Sequence, residues 1–144
     1  MSARSKLLFL VLVIVQAAHS VEEYVTRLFE IFAPARFVAG LVSDDLALGF
    51  VVFNALFLVI GAWCYVGPVR AGGVAGRAAA VVWIAIELAN SVGHITIAVS
   101  SGAYFSGSAT AVPLLVTAVC LALSMLADRR RVERVAASTM GSTS

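Results

Sequence analysis

LLFLVLVIVQAAHSVEEYVTRLFEIF, residues 7–32, is the stretch on which the fold turns. At 1.5 Å per residue it is long enough to cross a hydrocarbon core of about 30 Å, yet it carries His19, Glu22 and Glu23 in its middle. A charged residue near the centre of an inserted helix costs roughly 2.5 to 3.5 kcal/mol, so two unpaired glutamates would cost about 5 to 7 kcal/mol. A cost of that size requires partners.

The rest of the chain is of the same kind. Of its 144 residues 61% are hydrophobic and 12% charged, with a mean hydropathy of +1.00, which excludes a soluble domain of this length. Three further apolar segments, 46–66, 74–99 and 109–127, follow the first. They lack the two-residue alternation of a barrel, and backbone groups facing lipid must bond within their own segment. The expectation is an all-α polytopic membrane protein whose four transmembrane helices form one bundle over residues 1–135, with 136–144 a disordered cytoplasmic tail.

Basic residues set the orientation. Arg4 and Lys6 precede helix 1, Arg70 and Arg77 separate helices 2 and 3, and Arg129, Arg130, Arg131 and Arg134 follow helix 4; only Arg27 and Arg36 fall on the other side. This predicts an integral inner or cell membrane protein with both termini cytoplasmic. The same scatter of charge over three helix ends excludes a nucleic-acid surface and points to anionic headgroups. Cys64 and Cys120 stand alone inside predicted spans and read as free, small apolar side chains. Arg4, Lys6, the run 7–15 and Ala18-His19-Ser20 also fit a cleavable signal peptide, but the helical pattern continues to Phe32 with no Gly or Pro before Pro34, which favours retention.

Pro34 ends helix 1, Ser43-Asp44-Asp45 supplies a cap for helix 2, and Gly67-Pro68 stops it. Trp63 and Tyr65 read as interfacial anchors, Trp83 as core, and Arg27 and Glu30 as mutual partners. Ala85, Ala89 and Gly93 make a small-residue stripe for close helix packing, on the side of helix 3 away from Glu87.

At about 100° per residue, Glu22 and Glu23 lie roughly 60° and 40° to either side of His19, so one face of helix 1 carries all three. Helix 3 repeats the pattern with Glu87, Asn90, Ser91 and His94 at i, i+3, i+4 and i+7. Measured from Leu7, residues 19–23 sit about 18 to 24 Å along helix 1; measured from Arg77, residues 87–94 sit about 15 to 26 Å along helix 3. The two stripes meet at one depth, with Asn54 of helix 2 near the same level and the uncharged segment 100–108 above them as a lid.

Two imidazoles with two or three carboxylates are an N/O donor set for zinc, iron or manganese, and a bound cation would keep the acids ionised. The expected ligands are His19, Glu23, Glu87 and His94, the expected general base is Glu22 or Glu23, and Asn90 and Tyr104 are the expected substrate contacts. Zinc with three protein ligands and an open position activates water at neutral pH, which makes hydrolysis of a lipid-like or apolar small molecule the first reaction class. The same residues also suit a proton- or metal-ion-conducting relay, or polar hydrogen bonds holding together a structural oligomer subunit.

His19-Ser-Val-Glu22-Glu23, the later His94 and the turn Tyr104-Phe-Ser-Gly107 resemble the HXXEE family of small prokaryotic membrane proteins, over most of residues 7–127. The resemblance implies an enzymatic role without a defined reaction and marks His19, Glu22, Glu23, His94, Tyr104 and Gly107. This chain departs from the family's Tyr-x-Pro-Gly pattern at Ser106.

Overall fold

The computed structural model describes residues 1–141. Its helices are α1 (Ala3–Val25), α2 (Leu28–Ile31), α3 (Ala33–Gly40), α4 (Leu46–Cys64), α5 (Gly73–Ser101) and α6 (Ser108–Gly141); α4 continues through a widened helical turn, Tyr65–Val69, that accommodates Pro68. Four helical stretches are long and apolar enough to cross a membrane, Ala3–Val25, Leu46–Val69, Gly73–Ser101 and Ser108–Ser138. The protein is a helical membrane bundle in which α1 packs on α4 and α6, and α5 on α6.

The first helix does not run to Phe32 as its hydropathy predicts. It ends at Val25, where Thr26 turns its hydroxyl back onto the Glu22 carbonyl at 2.6 Å and Arg27 adopts a left-handed conformation, φ 57° and ψ 43°. For a non-glycine residue that conformation costs roughly 1 to 2 kcal/mol. Packing offsets it: beyond the break, α2 and α3 fold against α4 and bury Leu28, Phe29 and Ala39 with Phe50. Arg27 also forms an ion pair with Glu30, as expected, in which the guanidinium holds the Glu30 carboxyl below the ordinary glutamate range. Close approach of α3 to α4 depends on Gly49, where a β-carbon would collide with the Ala39 carbonyl.

Asp45 caps α4, accepting from Ala47 N at 2.9 Å and Leu48 N at 3.2 Å. At the other end of the chain, α6 carries helix into 136–141, a segment the sequence pattern assigns to a disordered tail; an Arg129–Glu133 pair at 2.9 Å and the helix-forming Ala136 and Ala137 favour the continuation. Residues 142–144 of that tail lie outside the described residues.

The main core joins the spans through Phe9, Leu12, Trp83, Leu114 and Leu121, with Trp83 edge-on to Phe9 and stacked on Phe57. Below it a polar cluster ties the start of α1 to α6: Ser5 Oγ lies 2.8 Å from Ser124 Oγ and donates to Asp128 Oδ2 at 2.9 Å, and Ser2 N donates to the same oxygen at 2.7 Å.

Candidate functional site

At the opposite end of the core, α1 and α5 bring His19, Glu23 and His94 together. Glu23 lies one helical turn beyond His19, which puts both on the face turned to α5. Glu23 Oε1 is 3.4 Å from His19 Nε2 and 3.1 Å from His94 Nε2, and the two rings cross at 84° with centroids 4.8 Å apart. All three side chains are buried, and one ligand atom from each falls within 4.8 Å of the others.

The partners of the two Nδ1 atoms fix the tautomers. His94 Nδ1 is 2.6 Å from the Ser106 carbonyl, which only accepts, so Nδ1 carries the hydrogen. His19 Nδ1 is 2.8 Å from Thr110 Oγ1, whose own hydrogen goes to the acceptor-only Glu22 carboxylate, so His19 Nδ1 must donate as well. In the neutral rings both Nε2 atoms are therefore bare lone pairs, directed with Glu23 Oε1 into one small space. His19 Nε2 has no hydrogen-bond partner among the described residues. A buried acceptor without a donor, beside a second imidazole and a carboxylate, invites a cation or a proton.

Glu22, adjacent to Glu23 in sequence, is placed quite differently. Its Oε1 accepts from Tyr104 Oη at 2.5 Å and from Ala109 N at 3.1 Å; its Oε2 accepts from Thr110 N at 2.8 Å and from the Thr110 hydroxyl. It caps the start of α6, where negative charge is favoured, and pins the loop 102–107 to α1. Partial desolvation and the neighbouring Glu22 carboxylate raise the Tyr104 hydroxyl above its ordinary pKa, keeping it a donor. Tyr104 itself is 61% exposed and does not border the cavity described below.

The loop lies directly on the imidazoles. Gly107 has φ +82°, and a β-carbon there would come 2.7 Å from His94 Nδ1 and 2.9 Å from His19 Cε1, so only glycine fits. Ser106 donates no proline rigidity, yet it anchors the turn twice, through its carbonyl to His94 and through a short hydroxyl contact to Thr26. Thr26 and Thr110 are neighbours of the cluster that the sequence reading did not single out, and Ser106 was singled out only as a departure from the family's turn. The available signal was the run Ser106-Gly-Ser-Ala-Thr110, whose Gly and hydroxyl residues mark a helix start.

Glu87 departs from the expected ligand set. It is fully buried on α5 but stands outside the close group, two helical turns from His94, about 10 Å along the axis, and neither of its carboxyl oxygens has a hydrogen-bond partner among the described residues. Asn90 lies between them and does border the cavity with Glu23 and His94. That cavity has a volume of about 310 Å³ and is lined by α1 and α5, which bring Gln16, Glu23, Asn90 and His94, and by α2, α3 and α4, which are apolar there except for Asn54. A larger one, about 420 Å³, sits at the far end of the bundle beside Arg77, Asp128 and Arg129, with no imidazole in its lining.

The fold and site together define a class, an integral membrane protein of four membrane-length helices with a His/Glu cluster buried between the first and third. No family model, curated protein or solved structure matches this chain, so its placement beyond that class rests on the residues themselves.

Proposed function

We propose that the protein is a metal-dependent membrane hydrolase acting on a lipid-like substrate, with His19, Glu23 and His94 as the ligands of a divalent cation, zinc, iron or manganese. The convergence of three buried ligand atoms, one of which, His19 Nε2, has no hydrogen-bond partner among the described residues, is the observation that carries this reading. Glu23 Oε1 lies 3.1 Å from His94 Nε2 and 3.4 Å from His19 Nε2, and the three ligand atoms fall within 4.8 Å of one another, so these residues would hold the ion between them. A cation held there by His19, Glu23 and His94 would supply Lewis acidity toward water and an acyl carbonyl.

The chain's own groups do the remainder. Thr110 and the Ser106 carbonyl hold the imidazoles in the Nε2-free tautomer, the outer-shell arrangement that metal-binding histidines require. Glu22 orients Thr110 and so serves as a positioning residue, in place of the base that the sequence pattern suggested. Glu23 is the one carboxylate bordering the cavity among the described residues, which makes it the group to take a proton from entering water. In the reaction, the water oxygen joins the acyl carbon, the acyl–oxygen or acyl–nitrogen bond breaks, one water proton goes to the leaving alcohol or amine, and the other stays with the acid product.

Elemental analysis of the detergent-purified chain tests the proposal. One equivalent of transition metal, abolished in both His19→Ala and His94→Ala, is expected; a folded, metal-free wild type overturns it. The orphaned Glu87 supports a second reading, a proton or cation relay along α5, for which Glu87→Gln would block flux in proteoliposomes. Lys6 Nζ donates to the Arg70 carbonyl at 2.7 Å, placing the basic ends of α1 and of the 70–77 segment on one side of the bundle. Under the positive-inside rule that side, with both termini, is cytoplasmic.

A further inference from the structure

The larger cavity, about 420 Å³, lies between the basic ends of α5 and α6, and the proposed hydrolysis makes no use of it. Its two long walls are built alike. Along α5, Arg77, Val81 and Ile84 follow at i, i+4 and i+7; along α6, which runs the other way, Arg129, Met125 and Ala122 follow at i, i−4 and i−7. Each helix therefore presents a guanidinium at the rim and apolar side chains for about 10 Å below it, toward the middle of its span. One leaflet of the hydrocarbon core is about 15 Å deep, so the slot follows most of its depth. Val81 and Leu126 on its edges are 55% and 51% exposed, which leaves the slot open to lipid, while Ile84 behind them is buried.

The rim offers hydrogen-bond donors that the protein leaves unused. Arg77 has no carboxylate within ion-pair distance among the described residues. Arg129 donates through Nε to Glu133 at 2.9 Å, and its two terminal nitrogens make no bond among the described residues. Asp128 also borders the cavity, but its Oδ2 is engaged by Ser2 N and Ser5 Oγ. The basic end as a whole carries eight Lys and Arg side chains against two carboxylates, Asp128 and Glu133. Guanidinium forks match the oxygens of a phosphate, and here they stand directly above an apolar slot. Charge above and hydrocarbon below is the profile of a phospholipid.

We infer that this groove binds an anionic glycerophospholipid from the leaflet at the basic end, its phosphodiester held by Arg77 and Arg129 and one acyl chain laid against Val81, Ile84 and Leu126. Phosphatidylglycerol, whose head group carries no ammonium, exemplifies the class; phosphatidylcholine presents the same phosphate but brings a cation toward the two arginines. The site is independent of the His19, Glu23 and His94 cluster and of any metal there.

Native mass spectrometry of the full chain in detergent, titrated with dioleoyl phosphatidylglycerol, dioleoyl phosphatidylcholine and glycerol phosphate, tests the inference. Phosphatidylglycerol should bind at least about fivefold more tightly than phosphatidylcholine, and Arg77→Gln and Arg129→Gln should each weaken it about fivefold, the contribution of one basic residue beside an anionic lipid. Both arginines are exposed, so these replacements leave the core intact. Arg130→Gln and Arg131→Gln, on the same helix but outside the cavity lining, should change nothing. Val81→Trp, which fills the slot from its half-exposed edge, should weaken both lipids with helicity unchanged by circular dichroism. Equal losses in all four arginine variants would show diffuse attraction to head groups and overturn the inference. Equal affinity for the two lipids, or glycerol phosphate binding as tightly as phosphatidylglycerol, overturns it as well, the last by leaving an anion site with no part for the acyl chain.

Discussion

Two buried polar clusters join α1 to the rest of the bundle, and they differ in how their acceptors are served. At the basic end, Ser2, Ser5, Ser124 and Asp128 form a closed set in which the Asp128 oxygen receives two donors and the serine hydroxyls meet each other. At the other end, His19 Nε2 and both oxygens of Glu87 receive none, and Glu23 Oε1 faces two imidazole lone pairs. The first cluster is complete as it stands. The second becomes complete only with positive charge, and this contrast, rather than polarity in an apolar setting, separates a binding site from a helix clamp. Glu22 and Glu23 repeat it on a smaller scale: one carboxylate accepts four hydrogen bonds, while the other is left facing a cavity.

The largest effect should come from the incomplete cluster. His94→Ala is expected to reduce bound metal from about one equivalent to a background level, read by elemental analysis, with the fold retained by circular dichroism. Thr110→Val comes next: it removes the acceptor that sets the His19 tautomer, and loss of such an outer-shell partner typically costs 10- to 100-fold in metal affinity, measurable by competition with a chelator. Gly107→Ala should destabilise the folded protein by about 1 to 3 kcal/mol, through a strained positive φ and contact with both imidazoles, as seen by unfolding in mixed micelles. The complete cluster should respond in the opposite sense to the first two. Ser5→Ala is expected to cost about 1 kcal/mol of stability and to leave metal content untouched, and a loss of metal there would erase the distinction between the two ends.

The smallest effect is predicted at the surface pair Arg27–Glu30. Because the Arg27 guanidinium lowers the Glu30 pKa in the folded chain, the pair's contribution is fully present above the ordinary glutamate value and is lost as pH falls through the lowered one. Arg27→Ala should therefore narrow the acid limb of the stability profile only slightly, and a large shift would mean that the helix break, not the ion pair, had been disturbed.

Much of this architecture was legible before any coordinates. Segments 46–66 and 74–99 lie within helical spans, Asp45 caps α4 and Trp83 is core, because span length, capping and bulk are local properties. The break at Thr26 and Arg27 was not legible: hydropathy runs unbroken through it, and what halts the helix is the packing of Leu28 and Phe29 on Phe50, contacts distant in sequence. Glu87 shows the same limit, since a shared helical stripe with His94 fixes its face but not its distance from a ligand set built on another helix.

Hydrophobic length and the cost of burying charge were enough to require a membrane bundle and partners for His19, Glu22 and Glu23, since both follow from transfer of each segment out of water. Which glutamate meets His94, and which is consumed in holding Thr110 and Tyr104, was decided by the assembled bundle. One residue turns a helix by about 100°, so two adjacent and chemically identical side chains face different neighbours, and only the positions of α5 and the 102–107 loop distinguish them.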